Sequence, residues 1–250
     1  MSALSNITQR IERSVRLICT THGACLRMRD LKPPYPLIVG RHRAILHTED
    51  TDESRGIYSE VILFDGYGLS NLARKASLRR IVDIGGNIGA FAVFASLCFP
   101  EAEVHAFEPH PVAYSWLEKN VIGRRISIFN QAVADRDGEL RFDVKQHATL
   151  SSLSDSGSHT VQAISPAKIF PGEEIDFLKM DCEGAEFLIF KDPALLLRTK
   201  RLAMEYHLDE VNTFQLLMEY LKAGGHAVSK LTKSSLAPNK FGILWSERTS

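Results

Sequence analysis

Asp83-Ile84-Gly85-Gly86-Asn87-Ile88-Gly89 decides how this chain folds, because of what stands on either side of it. Ahead of it, Arg80-Ile81-Val82 reads as a buried strand; behind it, Ala90-Phe91-Ala92-Val93-Phe94-Ala95 reads as a helix. Glycines at such a corner permit a tight turn and let a ligand approach the backbone closely. A second strand, Glu103-Val104-His105-Ala106-Phe107, runs into Glu108. That acid stands roughly 20 residues past the last glycine, where a carboxylate commonly holds ribose hydroxyls. The spacing implies a nucleoside-cofactor site.

Asp83 narrows the choice of nucleoside. In a dinucleotide fold the loop and helix N-terminus receive a pyrophosphate, which a carboxylate entering the loop would repel. S-adenosylmethionine carries no phosphate, and its ammonium and sulfonium are complementary to an acid at the strand end. Gly85-Gly86-Asn87-Ile88-Gly89 also departs from G-x-G-x-x-G spacing, which disfavours a nicotinamide cofactor. The position of Glu108 disfavours a purely structural turn.

The 250 residues suffice for one α/β core with a short N-terminal addition. Thirty Lys plus Arg balance thirty Asp plus Glu, which gives no electrostatic reason to expect nucleic acid or an anionic membrane as partner. Arg10, Arg13, Arg16, Arg27, Arg29, Lys32, Arg41 and Arg43 make the N-terminal stretch locally basic, as a solvated helix face and sheet edge would be. Cys19, Cys25, Cys98 and Cys182 lack zinc-ligand spacing and read as reduced thiols. Charges interrupt the N-terminal apolar positions, and no apolar run is long enough to cross a bilayer. A soluble, cytoplasmic protein is expected.

Ile7, Ile11, Val15 and Ile18 recur at helical spacing, with Gly23 placed to end that helix. Residues 25–30 and 36–47 read as strands, separated by the rigid turn Lys32-Pro33-Pro34-Tyr35-Pro36. The expected division is an N-terminal helix-and-strand extension over 1–57 and a main domain over 58–250. From Leu78 strand and helix alternate, the signature of a Rossmann-like, doubly wound parallel sheet. The main strands are expected to end at Asp83 and Glu108, then to run over 126–130, 175–180 and 201–206, with closing strands over 227–231 and 241–245. Helices are expected over 112–120, with Pro109 and Pro111 at its start, and over 211–222. Two extra strands, 140–144 and 159–164, flank a polar loop from Ser151 to Ser158, which reads either as a lid or as plain surface. Ligands of open α/β sheets bind beyond the strands' carboxyl ends. Asp83, Glu108, Asn130, Asp181 and His207 all fall at such ends.

With these residues in view, the chain resembles the class I S-adenosylmethionine-dependent methyltransferases, and specifically the FkbM family. The resemblance is carried by Val82-Asp83-Ile84-Gly85-Gly86-Asn87-Ile88-Gly89, Ala106-Phe107-Glu108-Pro109, Asn130-Gln131-Ala132-Val133-Ala134-Asp135, Leu178-Lys179-Met180-Asp181-Cys182-Glu183-Gly184-Ala185-Glu186 and Met204-Glu205-Tyr206-His207. It covers roughly residues 58–207, and the D-x-E-G-x-E element is its most discriminating part. Gly86 stands where many members carry alanine. The resemblance implies a seven-stranded sheet with its last strand antiparallel, and O-methylation of a hydroxyl on a sugar, glycan or polyketide-type product. It places Asp83, Gly85, Gly86, Asn87 and Gly89 along the methionine and ribose end of the cofactor. Glu108 would bind the ribose hydroxyls with Pro109 beside it, and Ala132 would lie near adenine. Asp181 borders the same site, and S-adenosylhomocysteine would be the product. Members of the family also suggest that Tyr58 closes over the cofactor, although simple packing accounts for it equally.

Methyl transfer is an in-line displacement at a sulfonium, so alignment supplies much of the catalysis. A sugar or alkyl hydroxyl gains further from a base or a metal. Asp181, Glu183, Glu205 and His207 are the catalytic candidates, and Glu205 and His207 share one face of their strand. His207 or Asp181 would accept the proton, since histidine titrates near neutrality without special tuning. Each has a competing structural role: an orienting hydrogen bond for His207, a helix N-cap for Asp181. Glu186 reads as a first-turn helix acid. Mg²⁺ held by Asp181 with Glu205 or His207 is a minor alternative; no dense carboxylate cluster in the sequence demands it, and no metal ligand is assigned. Two other functions stay open: an NAD(P)-dependent oxidoreductase, and a non-catalytic cofactor-binding protein. The sequence sets neither the acceptor nor the oligomeric state.

Overall fold

The computed structural model describes residues 30–143, 152–153, 157, 159–233, 237 and 239–249. The helix expected over 7–18, nearly all of the strand over 25–30, and most of the Ser151-to-Ser158 loop lie outside the described residues, as do Cys19 and Cys25. A hairpin of β1 (Tyr35–Val39) and β2 (His42–Leu46) leads into helix α1 (Asp52–Tyr58). Thr51 and Ser54 close that helix's N-terminus reciprocally, each side chain accepting the other's backbone N–H. The chain runs on through a π-helical turn, Ser59–Leu63, to the short α2 (Leu69–Leu72). The division expected at 57/58 therefore falls inside continuous helix, where there is no linker.

The alternating core follows: β3 (Arg80–Ile84), α3 (Ala90–Cys98), β4 (Glu103–Phe107), α4 (Pro111–Asn120) and β5 (Ile126–Phe129). After an excursion through β6 (Ala132–Val133), β7 (Gly138–Asp143), β8 (Ser152–Leu153) and β9 (His159–Ile164), the core resumes. It continues with β10 (Phe177–Met180), α5 (Glu186–Ile189), α6 (Ala194–Leu197), β11 (Arg201–His207), α7 (Phe214–Ala223), β12 (His226–Lys233) and β13 (Phe241–Arg248). The main sheet has seven strands in the order β12-β13-β11-β10-β3-β4-β5. Strands β11, β10, β3, β4 and β5 pair in parallel, and β13 lies antiparallel between β11 and β12. This is the doubly wound, mostly parallel sheet with one antiparallel strand that the sequence led us to expect. The excursion strands form a separate sheet of four, β6-β9-β7-β8, larger than the two extra strands expected.

Side chains alternate across a strand, and that rule sorts both core and site. Ile81 and Phe177 enter the apolar cluster built around α3 and the β1–β2 hairpin. Val82, Ile84, Leu178, Met180, Met204 and Tyr206 enter the opposite cluster with α5, α6 and α7. Burying side chains of this size contributes roughly 1.5–3 kcal/mol each. Asp83, Lys179, Asp181, Glu205 and His207 share the parity of the α3 face. The strand order reverses between β3 and β10, so the crevice where ligands of such sheets bind lies at that pair's carboxyl ends.

Element ends shift from expectation for local reasons. Strand β10 begins at Phe177 because Ile175 makes only an isolated bridge to Thr199. Helix α7 begins after Thr213, whose hydroxyl accepts the Leu216 N–H at 3.2 Å. Asp209 Oδ1 instead takes the Val211 and Asn212 amides in a preceding turn. No helix of the described residues is long and apolar enough to cross a membrane.

Candidate active site

The turn after β3 is tied to its neighbours by backbone. Gly85 and Gly86 N–H both donate to Phe107 O, at 3.0 and 2.9 Å, and Asp181 N–H donates to Ile84 O at 3.0 Å. Gly85 is obligatory here: its φ is +77°, and a Cβ would stand 1.7 Å from Asp181 O. Gly89 turns the chain into α3 at φ +86°, with Leu117 Cδ1 2.7 Å from where its Cβ would be. Asn87 N–H donates to Glu108 Oε2 at 2.7 Å, and His110 N–H to Oε1 at 2.7 Å. The Glu108 carboxylate is thus fixed by two amides. Burial, only partly offset by those amides, raises its pKa to about 7. Asn130 braces the same strand end from behind, donating to Glu108 O at 2.8 Å.

Two cavities open at these strand ends. The first is narrow, about 60 Å³, and is bordered by Asn87, Glu108, Pro109, Ala132 and Phe142. The second, about 460 Å³, is bordered by Glu60, Tyr67, Gly86, Lys179, Glu205 and His207. Gly85, Asn87, Asp181 and Glu183 border both. Of the expected cofactor residues, Asp83, Gly89 and Tyr58 border neither.

Asp83 corrects the electrostatic expectation. It is fully buried and its Oδ1 lies 3.1 Å from Lys179 Nζ, a buried lysine opposite it in register. Lys179 also donates to Gly85 O at 2.5 Å and stands 3.9 Å from Asp181 Oδ2. The Asp83 charge is therefore met inside the protein and does not face a ligand. Burial, opposed by Lys179, leaves Asp83 at about 6. Lys179 itself is held up: burial lowers it, and the charges of Asp83 and Asp181 outweigh that.

Tyr58 is fully buried, its ring 4.8 Å from Tyr35 and its hydroxyl donating to Pro36 O at 2.6 Å. It locks α1 to the hairpin and borders neither cavity. A tyrosine that does border the second cavity is Tyr67, whose hydroxyl donates to Asp181 Oδ2 at 3.4 Å. Asp181 is no N-cap either: Ala185 occupies the cap of α5 with no side-chain hydrogen bond, and the Gly184 N–H is taken by Glu186 Oε2 at 2.9 Å. Glu186 does more than complement a helix end. Fully buried, its Oε1 accepts the His207 backbone N–H at 2.7 Å and contacts ring Nδ1 at 3.1 Å. His207 Nε2 faces Glu183 Oε2 at 3.3 Å. Burial alone would lower the pKa of His207. The Glu186 hydrogen bond and the charges of Glu186, Glu183 and Asp181 raise it instead, to about 9.

The second cavity is strongly acidic. Burial first, then repulsion from Asp181 and Glu60, pushes Glu205 to about 8. Burial raises Glu183 to about 7, and Glu60 is raised by burial and Asp181. Asp181, Glu205 and His207 each present a ligand atom, and the three atoms lie within 4.8 Å of one another.

Lys179, Glu60 and Tyr67 were not singled out in the sequence, and Glu186 was read only as a first-turn helix acid. Two signals were there: a lysine in the apolar run Phe177-Leu178-Lys179-Met180, and a second acid three residues past Glu183. Nothing in the sequence marks Glu60 or Tyr67; the π-helical turn brings Glu60 to the cavity, a placement common for such turns.

The arrangement matches known proteins in one region. The model of the methyltransferase FkbM domain matches residues 83–228, from the β3 acid into β12. The 31-O-demethyl-FK506 methyltransferase FkbM of Streptomyces tacrolimicus is 40% identical over 74 residues, 29% of this chain and 28% of that protein. The methyltransferase sdnD of Sordaria araneosa is 33% identical over 86 residues, 34% and 32% of the two chains. The hexuronic acid methyltransferase AglP of Haloferax volcanii is 29% identical over 117 residues, 44% and 47%. Each alignment spans less than half of the relative's length. Among solved structures, magnesium protoporphyrin IX methyltransferase from Synechocystis with bound S-adenosylmethionine gives a TM-score of 0.48 at 10% identity, over 79% of this chain and 90% of that one. With its domain model matched over more than half of its length, the chain belongs to the FkbM methyltransferase family.

Proposed function

We propose that the protein is an S-adenosylmethionine-dependent O-methyltransferase acting on a hydroxyl of a sugar, glycan or natural product. The observation that carries this is the meeting of two cavities at Gly85, Asn87, Asp181 and Glu183, with Glu108 in one and the Asp181, Glu205 and His207 group in the other. The residues fit the cofactor. Glu108 is a buried carboxylate fixed by two amides, with lone pairs left for ribose hydroxyls, and Ala132 and Phe142 give apolar walls suited to adenine. Gly85 keeps the turn free of a side chain that would meet Asp181. The names of two relatives, a 31-O-demethyl-FK506 methyltransferase and a hexuronic acid methyltransferase, support hydroxyl and sugar acceptors.

When bound, the cofactor supplies an electrophilic sulfonium methyl. The chain supplies alignment and a place for the acceptor's proton. Among the four catalytic candidates Asp181 and Glu183 border both cavities; Glu183 already faces His207 Nε2 at 3.3 Å, which leaves the Asp181 carboxylate beside the junction where acceptor and cofactor meet. We assign the proton to Asp181. His207, held up at about 9 between Glu186 and Glu183, is a cation at neutral pH in the ligand-free protein and contributes positive charge there instead of a base. The test is transfer of isotope-labelled methyl from S-adenosylmethionine to a panel of sugar and polyketide hydroxyls. Wild type is expected to label at least one class, and Asp181→Asn to lose at least a hundredfold in kcat while still binding S-adenosylhomocysteine. An Asp181→Asn protein with wild-type kcat would overturn the assignment.

A further inference from the structure

We propose that Asp181, Glu205 and His207 form a divalent-cation site of the Mg²⁺/Mn²⁺ class at the ends of β10 and β11. This deepens the reading of the second cavity as the acceptor's place and rests on it. The sequence offered this set only as a minor alternative, because Asp181 is more than twenty residues from the other two. Parallel pairing of β10 with β11 closes that gap, setting Met180 beside Met204. Three donor atoms then lie within 4.8 Å of one another, one from each residue. Two carboxylates and an imidazole leave further coordination positions for water or hydroxyl oxygens, as hard cations prefer.

The surroundings prepare these side chains for a cation. Histidine ligands commonly have their second ring nitrogen held by a carboxylate, which fixes the ring and makes the free nitrogen a better donor. Glu186, fully buried, contacts His207 Nδ1 in this way, and Nε2 faces Glu183 Oε2 at 3.3 Å, a contact that a cation at Nε2 would take over. Tyr67 engages Asp181 Oδ2, and Oδ1 has no partner among the described residues. Independently, two acidic side chains at the cavity lack partners. Lys179 is committed to Asp83 and Gly85 O, and His207 to Glu186 and Glu183. The carboxylates of Glu60 and Glu205 then have no hydrogen bond or ion pair among the described residues, although both border the cavity. A divalent cation gives these carboxyls a partner. Ligation through Nε2 releases any proton there to solvent. The acceptor's hydroxyl in an open coordination position has its pKa lowered, and the second Asp181 oxygen takes its proton.

The experiment titrates Mn²⁺ alone into the chelator-treated, dialysed full chain, following loss of the free-ion signal by electron paramagnetic resonance. S-adenosylhomocysteine binding is measured in parallel on every sample. The expected result is one Mn²⁺ per chain, with affinity at least tenfold weaker in Glu205→Gln and in His207→Gln. Both variants are expected to bind S-adenosylhomocysteine within twofold of wild type, which shows that they are folded. No stoichiometric Mn²⁺ binding by wild type, or undiminished binding by both variants, overturns the proposal. Failure of wild type to bind S-adenosylhomocysteine strikes the cofactor reading alone, because the Mn²⁺ titration contains no cofactor.

Discussion

One oxygen of Glu186 holds His207 twice, accepting its backbone N–H at 2.7 Å and contacting its ring Nδ1 at 3.1 Å. The carboxylate's other oxygen takes the Gly184 N–H at 2.9 Å. A single buried acid thereby ties the loop after β10 to the end of β11 and sets the ring's orientation. Glu186→Ala removes all of these contacts and strands the Gly184 and His207 donors. It is expected to cost about 1–3 kcal/mol of stability, read by urea denaturation. Glu186→Gln, similar in shape, should cost less but still lower kcat. A Glu186→Ala protein as stable and as active as wild type would remove this residue from the account.

Lys179 and Asp83 form a pair that is fully inside the protein, 3.1 Å apart. Removing one partner leaves the other charge buried and alone, which typically costs 3–5 kcal/mol. Lys179→Met is therefore expected to destabilise severely, and Asp83→Asn in the same chain to recover part of the loss. Denaturation midpoints of the two single variants and the double variant measure this. Strictly additive effects would show that the two charges do not depend on each other.

Gly85→Ala should be far worse than Gly40→Ala, although both glycines have positive φ. At Gly40 nothing lies within 4 Å of a new Cβ, and only the left-handed backbone is strained, about 1–2 kcal/mol. At Gly85 the new Cβ meets Asp181 O at 1.7 Å, so the β3 and β10 ends must also separate. The check is thermal denaturation, together with S-adenosylhomocysteine affinity. Equal costs at the two positions would show that the close approach is not maintained in solution.

Glu108 makes a prediction about pH. Its ordinary carboxyl value is 4.5, and burial raises it to about 7 in the folded, ligand-free protein. The native state then holds a proton that the unfolded chain has released. The stability from this group is fully present below pH 4.5 and is lost as pH rises through about 7. Glu108→Gln should flatten that part of the stability profile. Denaturation from pH 5 to 8 on both proteins tests it, and parallel profiles would contradict the raised value.

Much of the site was legible because buried strands announce themselves as apolar runs and their last residues as the first polar breaks. Asp83, Glu108, Asp181 and His207 were found in that way, and strand order then follows from helix–strand alternation. What the break cannot reveal is direction. Asp83 lies one residue before the end of β3 and Asp181 directly after β10, yet one is sealed against Lys179 and the other borders both cavities, a difference set by side-chain packing across β3 and β10. Tyr58 was left between two roles for a similar reason: its ring packs on Tyr35 in a hairpin whose docking on α1 no local pattern encodes. Glu186 was underestimated because the partner that defines its role, His207, lies on another strand.

The account depends most on an adenosine-bearing, phosphate-free ligand bound against Glu108. Calorimetric titration of the purified chain with S-adenosylhomocysteine, and separately with NAD⁺ and NADP⁺, tests it directly. We expect one S-adenosylhomocysteine per chain, no binding of either dinucleotide, and a loss of about 1–3 kcal/mol in Glu108→Ala as the ribose hydrogen bonds disappear. Dinucleotide binding in its place, or S-adenosylhomocysteine affinity indifferent to Glu108→Ala, would contradict it.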